Sequence, residues 1–190
     1  AGVDIINSSL GYYDFDDSSM NYSQSDMDGN TAVVTRAARM ATAKGIVVVC
    51  SAGNEGNNAW QLITAPADGK DVLAVGSVNR NRVRVASSSK GPTADGRIKP
   101  DVAAMGASTA VVFPSGTIGT SSGTSFAAPL ITSLVSVLWQ ANPELSNIQL
   151  MDAIRRSASQ SATPDNLLGY GVPSTTAFTN YLDATDQQDM

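Results

Sequence analysis

Ile46-Val47-Val48-Val49-Cys50 is an unbroken apolar run, bounded by Gly45 on one side and Ser51-Ala52-Gly53 on the other. A short, continuous, β-branched run predicts a strand covered on both faces, the pattern of a parallel sheet between helices. Residues 30–44, just before it, read as a helix with Val33, Ala37, Met40 and Ala41 on one face and Gly45 as its stop. Residues 3–8 form a second short apolar run bounded by Gly2 and Gly11, again a strand. Strand, helix, strand is a βαβ unit, with the right-handed crossover such units take.

Outward from this unit the same period-reading continues. Residues 12–28 are polar and acidic, with Asp14, Asp16, Asp17, Asp26 and Asp28, and read as a surface loop. Asp26-Met27-Asp28-Gly29-Asn30 faintly echoes a calcium loop, but the ligand spacing and closing Glu are missing, so it reads as a loop that caps the next helix. Residues 51–58 form a turn and residues 71–78 a third strand. Residues 80–97 read as a hairpin and turns, and residues 98–103 and 110–113 as further short strands. Residues 125–141 predict a central, buried helix, since Phe126, Ala127, Leu130, Ile131, Leu134, Val135, Val137 and Leu138 leave almost no polar face. Ser146 caps a helix to about 157, Pro173 opens a last one to about 182, and residues 183–190 are a polar tail expected to fray.

Composition narrows the function. The 190 residues, 42% hydrophobic, fit one domain with a substantial core. A net charge of −5 with no basic cluster argues against nucleic acid as a partner. No apolar run approaches the roughly 18 residues of a membrane span, so no membrane partner is expected. Cys50, the one cysteine, lies in an apolar run and reads as a core residue. The chain opens at Ala1, beside the strand expected at residues 3–8, with no initiator Met, which predicts a piece of a longer polypeptide. It contains no histidine, the commonest general base.

The chemistry centres on Gly119-Thr120-Ser121-Ser122-Gly123-Thr124-Ser125-Phe126-Ala127-Ala128-Pro129. Small residues run straight into the helix, which places Ser125 at a helix N-terminus, where free N–H groups and the helix dipole favour negative charge. That position suits a serine nucleophile, and it equally suits an ordinary N-cap. Chain order narrows the templates. A nucleophile elbow of the α/β-hydrolase kind needs a His after the Ser, and none follows. The chymotrypsin order puts both partners before the Ser, but on an all-β fold that the helices exclude. The subtilisin order, with both partners also before the Ser, survives.

Gly123-Thr124-Ser125-Phe126-Ala127-Ala128-Pro129 resembles the nucleophile motif of the subtilases, the peptidase S8 family, with Phe126 where Met is usual. Asn7-Ser8-Ser9-Leu10-Gly11 resembles their substrate-binding strand end, and Ser51-Ala52-Gly53-Asn54-Glu55-Gly56 their oxyanion-hole segment. Ser88-Ser89-Lys90-Gly91-Pro92 and Lys99-Pro100-Asp101-Val102-Ala103-Ala104-Met105-Gly106 are similar to the family's run before the Ser, with Met105 where Pro is usual. Gly169-Tyr170-Gly171 matches the turn before the terminal helix. The matches fall in order over nearly the whole chain and correspond to the C-terminal part of a subtilase catalytic domain, residues 1–182.

The resemblance implies an α/β fold, the C-terminal part of a helix-flanked parallel sheet, incomplete in this chain. It implies a serine endopeptidase with Ser125 as nucleophile and Asn54 as an oxyanion donor beside the Ser125 N–H. Ser9, Leu10 and Gly11 would pair with an extended peptide. Ala52 and Gly53 would wall the opposite side of the pocket for the residue before the cleaved bond. Glu55 would stand at its rim and disfavour acidic residues, and Thr64 would lie near its floor, favouring a small or medium side chain. The family's Asp and His lie upstream of everything in this sequence, so this chain alone is expected to be inactive, and Asp4 and Asp101 are no replacement for a base. No cofactor is implied; calcium is compatible with the parent, but no residue set here supports a site. The implied partners are a peptide or protein substrate and the N-terminal half of the catalytic domain. Without that half, residues 3–8 would leave a sheet edge open to self-association. The family implies a secreted or cell-surface location. The competing expectation is a non-catalytic peptide-binding or scaffold domain.

Overall fold

The computed structural model describes residues 2–186. Four strands, β1 (Ile5–Ser8), β2 (Val47–Ser51), β3 (Leu73–Val78) and β4 (Val102–Met105), form one parallel sheet in that order. Every residue of β2 and β3 is buried, as the apolar runs predict for central parallel strands. Alternate side chains divide between two cores. Val47, Val49, Leu73, Val75 and Val102 pack with α2 (Thr124–Ala141), α3 (Asn147–Arg156) and α4 (Thr175–Asp186). Val48, Cys50 and Ala74 face the other way, against Ala38 and Ala41 of α1 (Val33–Thr42). The α/β architecture, with a parallel sheet flanked by helices, matches the expectation from sequence. Burial pushes the Cys50 thiol up to about 12, which suits an inert core residue.

Several local expectations are corrected. The inward face of α1 is Val34, Ala38 and Ala41, while Val33 and Met40 are 62% and 69% exposed and Ala37 is exposed too. Two threonines explain the rotation. Thr35 is buried because its hydroxyl donates to the buried Asp68 (2.5 Å), and Thr42 is buried with its carbonyl accepting from Asn147 Nδ2 (2.8 Å). Residues 80–97 hold turns and two isolated bridges, Val78 with Arg84 and Leu62 with Lys90, in place of a full hairpin. The hairpin lies further on: β5 (Thr109–Val112) pairs antiparallel with β6 (Ile118–Ser121), so Gly119-Thr120-Ser121 is strand. The strand expected at 98–103 starts only at Val102. The last helix runs to Asp186, into the expected tail; residues 187–190 lie outside the described residues.

α2 departs most from its expectation. It spans 18 residues and is apolar enough to cross a membrane by length and composition, yet it lies across all four strands of the sheet. Its burial is one-sided: Ala127, Ala128, Ile131, Val135 and Leu138 face the core, while Leu130 and Val137 are 46% and 62% exposed. β1 pairs only with β2, and among the described residues its other edge carries no strand.

A buried charge network ties α3 to the sheet. Asp101 accepts from Lys99 Nζ (2.6 Å), the Ala74 N–H (2.8 Å) and Arg155 Nε (2.8 Å), and Lys99 also donates to the Val72 carbonyl. Burial opposes ionisation of Asp101, but the charges of Lys99 and Arg155 and the hydrogen bonds outweigh it and hold the carboxyl below its ordinary range. Replacing Asp101 by Asn leaves Lys99 buried without its counter-charge. The expected loss is about 3–5 kcal/mol at pH 7, a fall of roughly 6–20 °C in Tm by circular dichroism. Because the folded value lies below the unfolded one, this stabilisation is complete above the unfolded pKa and is lost as pH falls through the folded pKa. The gap between wild type and D101N therefore closes on acidification.

Candidate active site

In a parallel sheet the strands end on one side, and the loops leaving β1 and β2 meet the start of α2 there. Ser125 is the second residue of α2, so its N–H belongs to the first turn, where no intrahelical acceptor exists. Its hydroxyl donates to the Ser9 carbonyl (3.3 Å), and the Ser9 hydroxyl donates back to the Ser125 carbonyl (3.0 Å). Pro129 accounts for the second bond. It stands four residues on and has no N–H, so the Ser125 carbonyl lacks its helical donor and Ser9 takes that place.

Asn54 is exposed, yet its amide oxygen is fixed. Oδ1 accepts from the Thr124 N–H (2.9 Å), and the buried Thr124 hydroxyl lies 3.2 Å from both Oδ1 and the Gly53 carbonyl while accepting from the Gly53 N–H (3.2 Å). With Oδ1 turned to the helix, the opposite end, Nδ2, has no acceptor among the described residues. A side-chain N–H donor thus stands beside a helix N-terminus that carries a serine hydroxyl.

Thr64 brings the two walls together. It is 2% exposed, its N–H donates to the Ala52 carbonyl (3.1 Å), and among the described residues its hydroxyl has no hydrogen-bond partner. A Cβ added at Gly11 would lie 2.3 Å from Thr64 Oγ1, and one at Gly53 would lie 2.9 Å from it. Gly53 also has φ of +109°, a conformation that side chains resist. Ala52 is buried, and its N–H donates to the Val75 carbonyl (2.9 Å). Leu10, between Ser9 and Gly11, is 58% exposed. Glu55 is half-buried, with its N–H donating to Ser89 Oγ (3.0 Å) and its carboxylate accepting from the Tyr13 hydroxyl (3.1 Å) and from Asn58 Nδ2. Burial, then the Glu55 charge, raises the Tyr13 hydroxyl above its ordinary pKa.

Ser125, Asn54, Ser9, Gly11, Ala52, Gly53 and Thr64 are therefore linked by direct contacts, with Leu10 and Glu55 on flanking residues. The sequence assigns Thr124 no role beyond its place in the motif. A threonine directly before a serine at a helix start is a signal for a capping side chain, but its partners lie 70 and 71 residues away. Tyr13 and Ser89, both partners of Glu55, carried no local signal. Asp101 is engaged by Lys99 and Arg155, and Asp4 is exposed; neither contacts Ser125.

The fold is a parallel α/β sheet with a serine at the start of the helix that crosses it. The sequence model of the subtilase family matches residues 1–171, and the chain belongs to that family. It is 30% identical over 149 residues to Subtilisin BL of Lederbergia lenta, covering 78% of this chain and 52% of that protein. It is 32% identical over 158 residues to Subtilisin E of Bacillus subtilis, covering 83% and 36%. The chain thus spans about half, or less, of the length of these curated relatives. Among solved structures, the self-cleaved protease domain of PatA has the same fold at TM-score 0.72 and 22% identity, covering 96% of this chain and 63% of that one. The prenylagaramide maturation protease PagA matches at TM-score 0.71 and 21% identity.

The contact between Gly11 and Thr64 is directly testable. Gly11→Ala drives a methyl into Thr64 Oγ1 and is expected to destabilise the chain by about 1–3 kcal/mol in urea melts. Thr64→Gly in the same chain is expected to return most of that loss, whereas two independent sites would give additive effects.

Proposed function

We propose that this chain is the nucleophile-bearing part of a subtilisin-like serine endopeptidase, completed by an Asp and a His from elsewhere in the parent protein. The supporting observation is the fixed Asn54 amide, with Oδ1 held by the Thr124 N–H and Nδ2 without an acceptor among the described residues, at the helix start that carries Ser125. In this reading Ser125 Oγ attacks the peptide carbonyl and the His takes its proton. The oxygen then becomes an oxyanion between the Ser125 N–H and Asn54 Nδ2, and collapse releases the amine to leave an acyl-Ser125 ester for water. Ser9, Leu10 and Gly11 align the peptide as an added strand. Thr64 shortens the pocket and favours a small or medium residue before the cleaved bond, and Glu55 disfavours an acidic one. Family membership supports an extracellular location for the parent.

Alone, the chain offers no base: it has no His, and the Ser125 hydroxyl donates to a backbone carbonyl. The same observation is what favours the second reading, a non-catalytic peptide-binding domain. A fluorophosphonate probe separates them. The parent with its upstream half is expected to be labelled at Ser125, with Asn54→Ala lowering turnover by roughly 10²–10³. This chain alone is expected to stay unlabelled, and labelling of it would overturn the reading.

We further propose that the open edge of β1 takes a strand, from the N-terminal half in the parent and from a second copy when the chain is alone. The isolated chain is then expected to self-associate with rising concentration by light scattering. A concentration-independent monomer with slowly exchanging amides throughout residues 5–8 would count against this.

A further inference from the structure

The end of the sheet away from Ser125 carries a second cleft, of about 300 Å³, where β3 and β4 begin. Lys70 lines it from just before β3, Arg97 and Lys99 from just before β4, and Arg155 from the last turn of α3. These four cations meet two carboxylates, Asp101 and Asp152, in a chain whose net charge is −5. Asp152 is itself paired with Arg156 (3.6 Å), and Asp101 is engaged by Lys99, Arg155 and the Ala74 N–H. The reaction described above uses none of these groups.

The cleft holds more donors than acceptors. Arg155 commits only Nε, and its two terminal nitrogens have no acceptor among the described residues. Arg97 commits Nε to Asp95 (2.7 Å), while both of its terminal nitrogens are buried without a partner among the described residues. Lys99 is 2% exposed and has a third N–H beyond those given to Asp101 and the Val72 carbonyl. Lys70 is exposed and forms no salt bridge among the described residues. Tyr170 completes the lining, and its hydroxyl too has no partner among the described residues. A buried donor without an acceptor is unfavourable, and a guanidinium fork fits the paired oxygens of an oxyanion. The last turn of α3 brings the negative end of a helix dipole here, but its carbonyls are already engaged. Those of Ala153, Ile154 and Arg155 accept from the Ser157 N–H, the Ser157 hydroxyl and the Ala158 N–H.

We propose that this cleft binds a tetrahedral oxyanion, a phosphate, either free or as the phosphoryl group of a larger molecule. The Arg155 guanidinium and the Lys70 ammonium supply the charge, and the Tyr170 hydroxyl adds a neutral donor. The bound anion links the approaches to β3 and β4 with α3, and so stabilises the folded chain by mass action. β3 is six residues long, so the anion lies roughly 20 Å from the loops around Ser125. The site is independent of the peptide-cleaving reading, which uses the opposite ends of the strands.

The test is calorimetric titration of inorganic phosphate into this chain at pH 7, against sodium chloride of equal ionic strength. One saturable site per chain is expected with phosphate and none with chloride. Lys70→Gln and Tyr170→Phe, which leave the Asp101 network intact, are each expected to raise the Kd roughly three- to tenfold. A parallel titration with O-phosphoserine separates the two sources. Tighter binding of the ester supports a phosphoryl group on a larger molecule, and tighter binding of inorganic phosphate supports the free anion. Absence of saturable heat with both ligands would overturn the site. A Kd unchanged in both variants would overturn it as well, because the anion would then be held elsewhere.

Discussion

Two hydrogen-bonded bridges, Asn54 to Thr124 and Ser9 to Ser125, fasten the start of α2 to the ends of β2 and β1. The site depends on them because its parts are remote in sequence, 70 residues apart in one case and 116 in the other. The sheet brings the parts near each other: parallel strands deliver their C-terminal loops to one side, and α2 crosses all four strands with its N-terminus there. Proximity alone would leave the serine free to turn. The amide oxygen of Asn54 and the hydroxyl of Ser9 each occupy a backbone group that a helix start, or a helix containing proline, leaves open. A helix defect and a helix end thus become the fasteners of the site.

The walls obey a steric constraint as strict as the polar one. Thr64 stands so close to Gly11 and Gly53 that neither position admits a Cβ without displacement. Its buried hydroxyl has no hydrogen-bond partner among the described residues, and on the proposed reading it lines the pocket beside Asn54.

Much of this was legible in the sequence because it rests on local rules. The run at 46–50 required two covered faces, and both are covered; the small residues before Phe126 placed the helix start within one residue. The failures share one cause, a side chain whose partner is distant. Thr35 turned α1 because Asp68 lies beneath it, and nothing within residues 30–44 announces Asp68. Thr124 and Tyr13 were passed over for the same reason: each bonds across the site to a segment that only the fold brings near. Gly119-Thr120-Ser121 reads as small residues leading into the helix because a glycine weakens a short strand signal, but pairing with β5 overrides that preference. The apolar character of α2 predicted burial on all sides; composition gives the amount of apolar surface, and which side is covered depends on what packs there.

That uncovered side bears on how the parts act together. Leu130 and Val137 lie seven residues apart, two helical turns, and share one face of α2. A groove lined by Val3, Ile5 and Trp139 runs between the start of β1 and the C-terminal half of α2, near the strand edge that has no partner. Exposed apolar surface and an unpaired edge are both unfavourable in water, and one further layer packed on β1 would pair that edge and cover the groove of Val3, Ile5 and Trp139. The buried Lys99–Asp101–Arg155 network ties β4 to α3 by contrast, and it needs no such layer. On the proposed reading, the base reaches Ser125 only when that layer docks. The surface that completes the fold and the group that completes the chemistry then arrive together, and an undocked chain holds an organised oxyanion site beside a serine that keeps its proton.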